Sequence, residues 1–127
     1  MIVVDTSVWV EALRDGGSWE AGRLRNLLDE DRAAIVAPVK LELLLGASRR
    51  QEPGLRRLLS ALPCWYPQTE SWQLAESWIE PALRAGQRFG FADLLIAAIA
   101  HEKRARIWSL DRDFERLQSL GFATLFQ

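Results

Sequence analysis

A chain of 127 residues with 49% hydrophobic and 26% charged residues has the size and composition of one globular domain, long enough to bury about two thirds of the surface its unfolded form exposes. Its formal charge of -1, from 16 basic and 17 acidic residues, carries no global nucleic-acid footprint. A single cysteine, Cys64, and a single histidine, His101, exclude an internal disulfide and a cysteine-rich zinc site, so any metal chemistry must use oxygen ligands.

The longest apolar run, Leu94 to Ala100, is far short of the roughly 20 residues that span a bilayer, and Met1 enters the first strand without a basic signal region. No membrane association and a cytoplasmic location are therefore expected. Arg makes up most of the basic residues, with pairs at Arg49-Arg50 and Arg56-Arg57. Its planar fork suits phosphate, although a bias in genome composition produces the same excess.

Ile2, Val3 and Val4 form a β-branched run without polar alternation, the pattern of a strand covered by helices on both faces of a parallel sheet. Asp5 ends that strand and Thr6-Ser7 turn it into a helix; sites in open α/β sheets form beyond such strand ends. The competing reading makes Asp5 a helix cap. Ser7 to Arg14 reads as a short helix stopped by Asp15-Gly16-Gly17, and Ser18 caps a second helix running to about Asp31. Ala33 to Ala37 is a second buried strand. Pro38 suits a first helical turn and predicts helix over Val39 to Ala47. Within it Glu42 is flanked by Leu41, Leu43, Leu44 and Leu45. A carboxylate there must lie at the edge of the apolar face or in a pocket, where an unpaired charge is costly.

Glu52-Pro53 opens a helix through Leu62 and Pro63 closes it, after which Cys64-Trp65-Tyr66 is a weak third strand. Thr69 caps a helix carrying Trp72, Leu74, Ala75, Trp78 and Ile79, and Pro81 predicts a kink or early stop in it. Gly86 and Gly90 bracket a loop. Phe91 to Ala100 is apolar nearly all round and therefore a central helix, with Asp93 at its start. Ile107 to Leu110 forms the next strand, Asp111-Arg112-Asp113-Phe114 turns into a last helix ended by Gly121, and Ala123 to Phe126 is a closing strand. Strands alternating with helices, without repeats or linkers, argue a three-layer α/β domain spanning residues 1–127.

Asp5 and Asp111 follow strands, Asp93 opens the most buried helix, and Glu42 sits in a leucine run. Capping accounts for each Asp singly and not for Glu42. Gathered in one cleft, four carboxylates repel, so some are protonated or a cation is present. Oxygen ligands select Mg²⁺ or Mn²⁺, which bind phosphate oxygens and activate water for in-line attack; the chemistry expected is phosphodiester hydrolysis. Setting these four acids aside leaves 16 basic against 13 acidic residues, a surface tolerant of a polyanion.

The stretches Asp5-Thr6-Ser7, Ala37 to Gly46, Phe91 to Ala98 and Ser109 to Phe114 resemble, in order, the four motifs of PIN-domain ribonucleases, especially the VapC toxins of toxin-antitoxin pairs. The resemblance covers the whole chain. It implies a parallel five-stranded sheet flanked by helices, Mg²⁺-dependent cleavage of RNA, a cognate antitoxin that blocks the site, and a homodimer. Residue by residue, Asp5, Glu42 and Asp93 match the firmest acidic positions and Asp111 the fourth. Asp5, Asp93 and Asp111 are the metal ligands so implied, with Glu42 and Asp113 as further candidates. Thr6 matches a polar position beside the first acid, and Ser109 stands where the family commonly has Thr, a mild departure because either hydroxyl orients a carboxylate.

Two other readings compete. An Asp-dependent phosphatase needs a second acid two residues after Asp5, where Ser7 stands. A non-catalytic interaction protein with the same fold would use its tryptophans as a binding surface, and Trp9 and Trp19, on the first two helices, are the candidates for a partner surface in either case.

Overall fold

The computed structural model describes every residue from Met1 to Gln127. The β-branched and apolar runs form four short strands, β1 (Ile2–Val4), β2 (Ala33–Val36), β3 (Cys64–Trp65) and β4 (Arg106–Trp108). They make one parallel sheet in the order β3-β2-β1-β4. Val3 lies opposite Ala34 on one side and Ile107 on the other. All of β1 and β2 is buried, as unbroken apolar runs require.

Seven helices flank this sheet: α1 (Thr6–Arg14), α2 (Trp19–Asp29), α3 (Ala37–Gly46), α4 (Glu52–Ser60), α5 (Thr69–Arg84), α6 (Phe91–Glu102) and α7 (Asp113–Ser119). Helix α6 holds six consecutive buried residues, Leu95 to Ala100, and packs against α3, α5, α7 and β4. It is the central helix that its all-round apolar sequence predicts. No helix is long and apolar enough to cross a membrane.

The sheet has four strands where five are expected. Ala123 to Phe126 lies parallel to β4 but pairs only as a single bridge, Ile107 with Leu125. The reason is the two-residue period of a strand. In three-residue β4 only Ile107 turns its backbone outward, donating to the Thr124 carbonyl and accepting from Phe126, both at 2.9 Å. The next outward N–H, that of Ala105, is committed to the Ala100 carbonyl in the turn that closes α6.

Two details of α5 also differ from expectation. The cap is Gln68, whose backbone N–H donates to Ser71 Oγ at 2.9 Å in a capping box, and Thr69 is the first helical residue. Pro81 lies inside a helix that continues to Arg84. Its missing N–H orphans the Ser77 carbonyl, and both residues are exposed, so that carbonyl is on the solvent side of the helix, where the loss of a donor costs least.

Parallel pairing brings the carboxyl ends of β1 and β4 to the same edge. The Asp5 N–H donates to the Trp108 carbonyl at 2.9 Å, so the residues leaving the two strands, Asp5 to Ser7 and Ser109 to Asp111, emerge side by side.

Candidate metal centre

Asp5 occupies the N-cap position of α1 in extended backbone, yet its side chain makes no capping bond. Its Oδ2 instead accepts from Ser7 Oγ at 2.9 Å and Ser109 Oγ at 2.7 Å. Each hydroxyl is oriented by a backbone donor: Leu110 N–H donates to Ser7 Oγ at 2.9 Å and Asp111 N–H to Ser109 Oγ at 3.0 Å. Each hydroxyl accepts from a backbone N–H and is left with its proton to donate to Asp5, and the two oxygens lie 3.3 Å apart. The carboxylate is only 5% exposed, and no protein donor reaches its Oδ1. One oxygen of this largely buried carboxylate is fixed, and the other, free of protein donors and open to solvent, is available to a cation.

Asp93 is the third residue of α6, whose N-cap is Gly90, so the capping reading of Asp93 falls. The position sets the carboxylate toward the cluster. Its pKa is pushed up to about 6 by partial burial and by repulsion from Asp5, Asp111, Asp113 and Glu42, in that order. Four other acids therefore act on one. Asp93, Asp111 and Asp113 bring ligand oxygens within 4.8 Å of one another. Asp111 also caps locally, its Oδ1 accepting from the Asp113 N–H at 2.9 Å.

Glu42 reaches the cluster from α3, where Thr6 Oγ1 donates to its Oε1 at 3.3 Å. Partial burial raises its pKa, the Thr6 hydrogen bond opposes that rise, and Asp5 adds to it. The residue is exposed overall, as are its neighbours Leu41 and Leu45 at 60% and 78%. The leucine run is thus not a continuous core face, and Glu42 sits at its edge.

Only one of these acids has a cationic partner: Arg116 donates to Asp113 Oδ1 at 2.9 Å. The same guanidinium donates to Gln87 Oε1 at 2.5 Å and to the Arg88 carbonyl at 3.2 Å, tying the loop before α6 to α7. Asp5, Glu42, Asp93 and Asp111 form no ion pair. An all-oxygen donor set of this charge fits Mg²⁺ or Mn²⁺.

Ser7 and Arg116 are site residues that sequence reasoning missed. The Asp-x-Ser spacing, in which a hydroxyl reaches a carboxylate two residues back, is the signal for Ser7. For Arg116 only the i,i+3 pairing with Asp113 is visible in the sequence.

The tryptophans divide. Trp9 is 1% exposed in the core, its indole N–H without an acceptor, which corrects its assignment to a partner surface: the α1 face carrying it packs inward with Val8. Trp19 is 67% exposed, edge-on to Trp108 at 6.1 Å. Beside Thr6 and Glu42 opens a groove of about 540 Å³, walled by Val10 and Leu13 of α1, Leu43 of α3, and Leu55 and Leu58 of α4.

A model of the family described as PIN domain matches residues 2–120. Ribonuclease VapC11 of Mycobacterium tuberculosis is 38% identical over 120 residues, covering 91% of this chain and 90% of that protein. A VapC ribonuclease of Mycobacterium bovis matches to the same extent, 38% over 120 residues with 91% and 90% coverage. Among solved structures, VapBC2 from Rickettsia felis bound to a DNA fragment from its promoter gives a TM-score of 0.82 at 22% identity, over 99% of this chain and 98% of the other. VapC20 of Mycobacterium tuberculosis, described as a sarcin-ricin loop cleaving toxin, gives 0.68 at 20% identity, over 91% and 94%. These low identities carry the fold, and the sequence matches carry the family. A strand-end carboxylate held by two serines, with four further acids around it, is thus the centre of a chain that belongs to the PIN-domain family, among the VapC ribonucleases.

Proposed function

We propose that this chain is the toxin of a toxin-antitoxin pair, an endoribonuclease that hydrolyses RNA phosphodiester bonds with Mg²⁺ or Mn²⁺ in the cytoplasm. The observation that carries this reading is the convergence of Asp5, Glu42, Asp93, Asp111 and Asp113 with a single arginine among them. Asp5, Asp93 and Asp111 would hold the cation, with Asp113 a further ligand beside the last two. A divalent cation held there would neutralise phosphate oxygens and make an attacking water more acidic. Ser7 and Ser109 fix the Asp5 carboxylate. Glu42, its proton affinity raised and its carboxylate hydrogen-bonded by Thr6, would take a proton from the attacking water.

RNA is the substrate class because two relatives at 38% identity are named ribonucleases. The purified chain should cut single-stranded or looped RNA only with Mg²⁺ or Mn²⁺, and excess chelator should abolish cleavage. Cleavage that persists in chelator, or that requires zinc, overturns the metal assignment.

An antitoxin segment lying in the groove beside Thr6 and Glu42 would cover apolar Val10, Leu13 and Leu58, which are 51%, 53% and 42% exposed, and close the site at once. Trp19, 67% exposed on α2 beside Trp108, offers a separate aromatic contact for that partner. Self-association would bury a second strip, Trp72, Ile79 and Leu83 on one face of α5 with neighbouring Phe91, each between 46% and 74% exposed. Sedimentation of the isolated chain tests the homodimer.

A further inference from the structure

At the opposite edge of the sheet from the carboxylates, where β4 begins, lies a cleft of about 430 Å³ lined by His101, Arg104, Ala105, Arg106, Ala123 and Thr124. No carboxylate lines it. Arg106 opens β4 opposite Ile2, whereas Asp5 and Asp111 follow the other ends of β1 and β4. Neither arginine nor His101 takes part in any of the chain's ion pairs. His101 is held edge-on against Trp78 at 5.5 Å, and Trp78 stacks on Phe122 at 4.5 Å, so one wall is rigid.

The backbone at Arg104 supplies an independent argument. Four helices, α2, α5, α6 and α7, end in the same turn, with one residue in the left-handed region: Asp31 at φ 55, Gly86 at 74, Arg104 at 54 and Gly121 at 81. In α6 the Ala105 N–H donates to the Ala100 carbonyl and the Arg104 N–H to the His101 carbonyl, the paired bonds of that turn. Glycine fills this position without a steric penalty, and Asp tolerates it. A long side chain does not belong there for the sake of the turn. Arg104 is the one long side chain among the four, and it lines the cleft.

We propose that this cleft is a phosphate-binding site, separate from the metal centre, in which Arg104 and Arg106 grip a phosphate oxyanion with His101 and Thr124 as further donors. Arginine forks match phosphate oxygens bidentately. The ligand is either free inorganic phosphate or a phosphodiester of an RNA strand passing the β4 edge, and the same experiment separates the two sources.

The full chain is kept in excess chelator, so that the carboxylates recruit no phosphate through a cation and cut no RNA. His101 is the only histidine, so its ring proton signals are a single assigned reporter. Sodium phosphate should move them saturably, whereas sodium chloride at matched ionic strength should not. In Arg104→Gly the phosphate affinity should fall roughly ten-fold, the worth of a charged hydrogen-bond pair. Because the substitution relieves the left-handed strain, the midpoint of thermal unfolding should equal or exceed the parent's. Arg106→Gln, on a strand, should weaken binding in the same way. Equal movement in chloride, or an unchanged midpoint of the phosphate titration in both variants, overturns the site. A short single-stranded RNA then identifies the source. Weaker binding by Arg104→Gly, with a salt slope shallower by about 0.7, assigns a phosphodiester. Unchanged RNA affinity alongside lost phosphate binding supports the site and assigns it to free phosphate. No arm requires cleavage, so failure here leaves the ribonuclease reading intact.

Discussion

Asp93→Asn separates a metal centre from a set of unrelated helix-terminal acids. The folded protein raises the Asp93 pKa from its ordinary 3.8 to about 6, so between those values the native state binds a proton that the unfolded chain releases. The contribution of Asp93 to stability must therefore fall as pH rises from about 4 to about 6, and its full cost is present above pH 6. The shift is equivalent to roughly 3 kcal/mol, and solvent screening at this half-exposed position brings it to about 1.5 kcal/mol. Asparagine keeps the shape and removes the charge. Metal-free Asp93→Asn should therefore be more stable than the parent by up to about 1.5 kcal/mol at pH 7.5, or roughly 5 °C in Tm, with little difference at pH 4. Saturating Mg²⁺ should reverse the order, because the parent gains about 2.7 kcal/mol at a hundred times Kd and the variant much less. Thermal or urea unfolding of both proteins, with and without Mg²⁺ at fixed ionic strength, measures this directly, with RNA cleavage assayed alongside. Equal Mg²⁺ stabilisation of the two proteins, parallel pH profiles and retained cleavage would refute the role of Asp93.

Ser7→Ala removes one donor from Asp5 and orphans the Leu110 N–H; a loss of about 1–2 kcal/mol and a fall in cleavage at saturating Mg²⁺ are expected, and an unchanged rate would make Ser7 structural only. Pro81→Ala restores a donor to the Ser77 carbonyl in α5 and should raise stability by about 1–2 kcal/mol, part of proline's helix penalty being offset by its stiffening of the unfolded chain; urea titration checks this. Trp19→Ala should weaken antitoxin binding by more than about 1 kcal/mol with cleavage intact, measured by calorimetry, whereas Trp9→Ala should cost about 3–5 kcal/mol of folding stability.

The strands and the central helix were legible because their periodicity is local: Ile2 to Val4 admits little but a covered strand, and six consecutive buried residues in α6 leave no polar face to misread. The fifth strand failed on a non-local fact. Ala123 to Phe126 has strand composition, but pairing also needs outward backbone groups on β4, and the α6 turn had already claimed the one at Ala105. Pro81 failed for a related reason. Its cost depends on whether the orphaned carbonyl meets water, and exposure is a tertiary property.

Asp5, Asp93 and Asp111 were legible as a set because each follows a strand or opens a helix at one edge of a parallel sheet, whereas Glu42, in the middle of α3, was legible only as a carboxylate out of place in a leucine run. What holds them was not. Ser7 reads as a helix start until β4 supplies the Leu110 N–H that turns its hydroxyl toward Asp5, a contact across 103 positions of sequence. Trp9 misled in the opposite sense: a large aromatic on a short first helix suits either a partner or a core, and only the inward rotation of α1, fixed by Asp5 leaving β1, decides for the core. The strand that places the first carboxylate thus also sets which face of α1 is buried, so Val10 and Leu13, not Trp9, are left lining the groove beside the site.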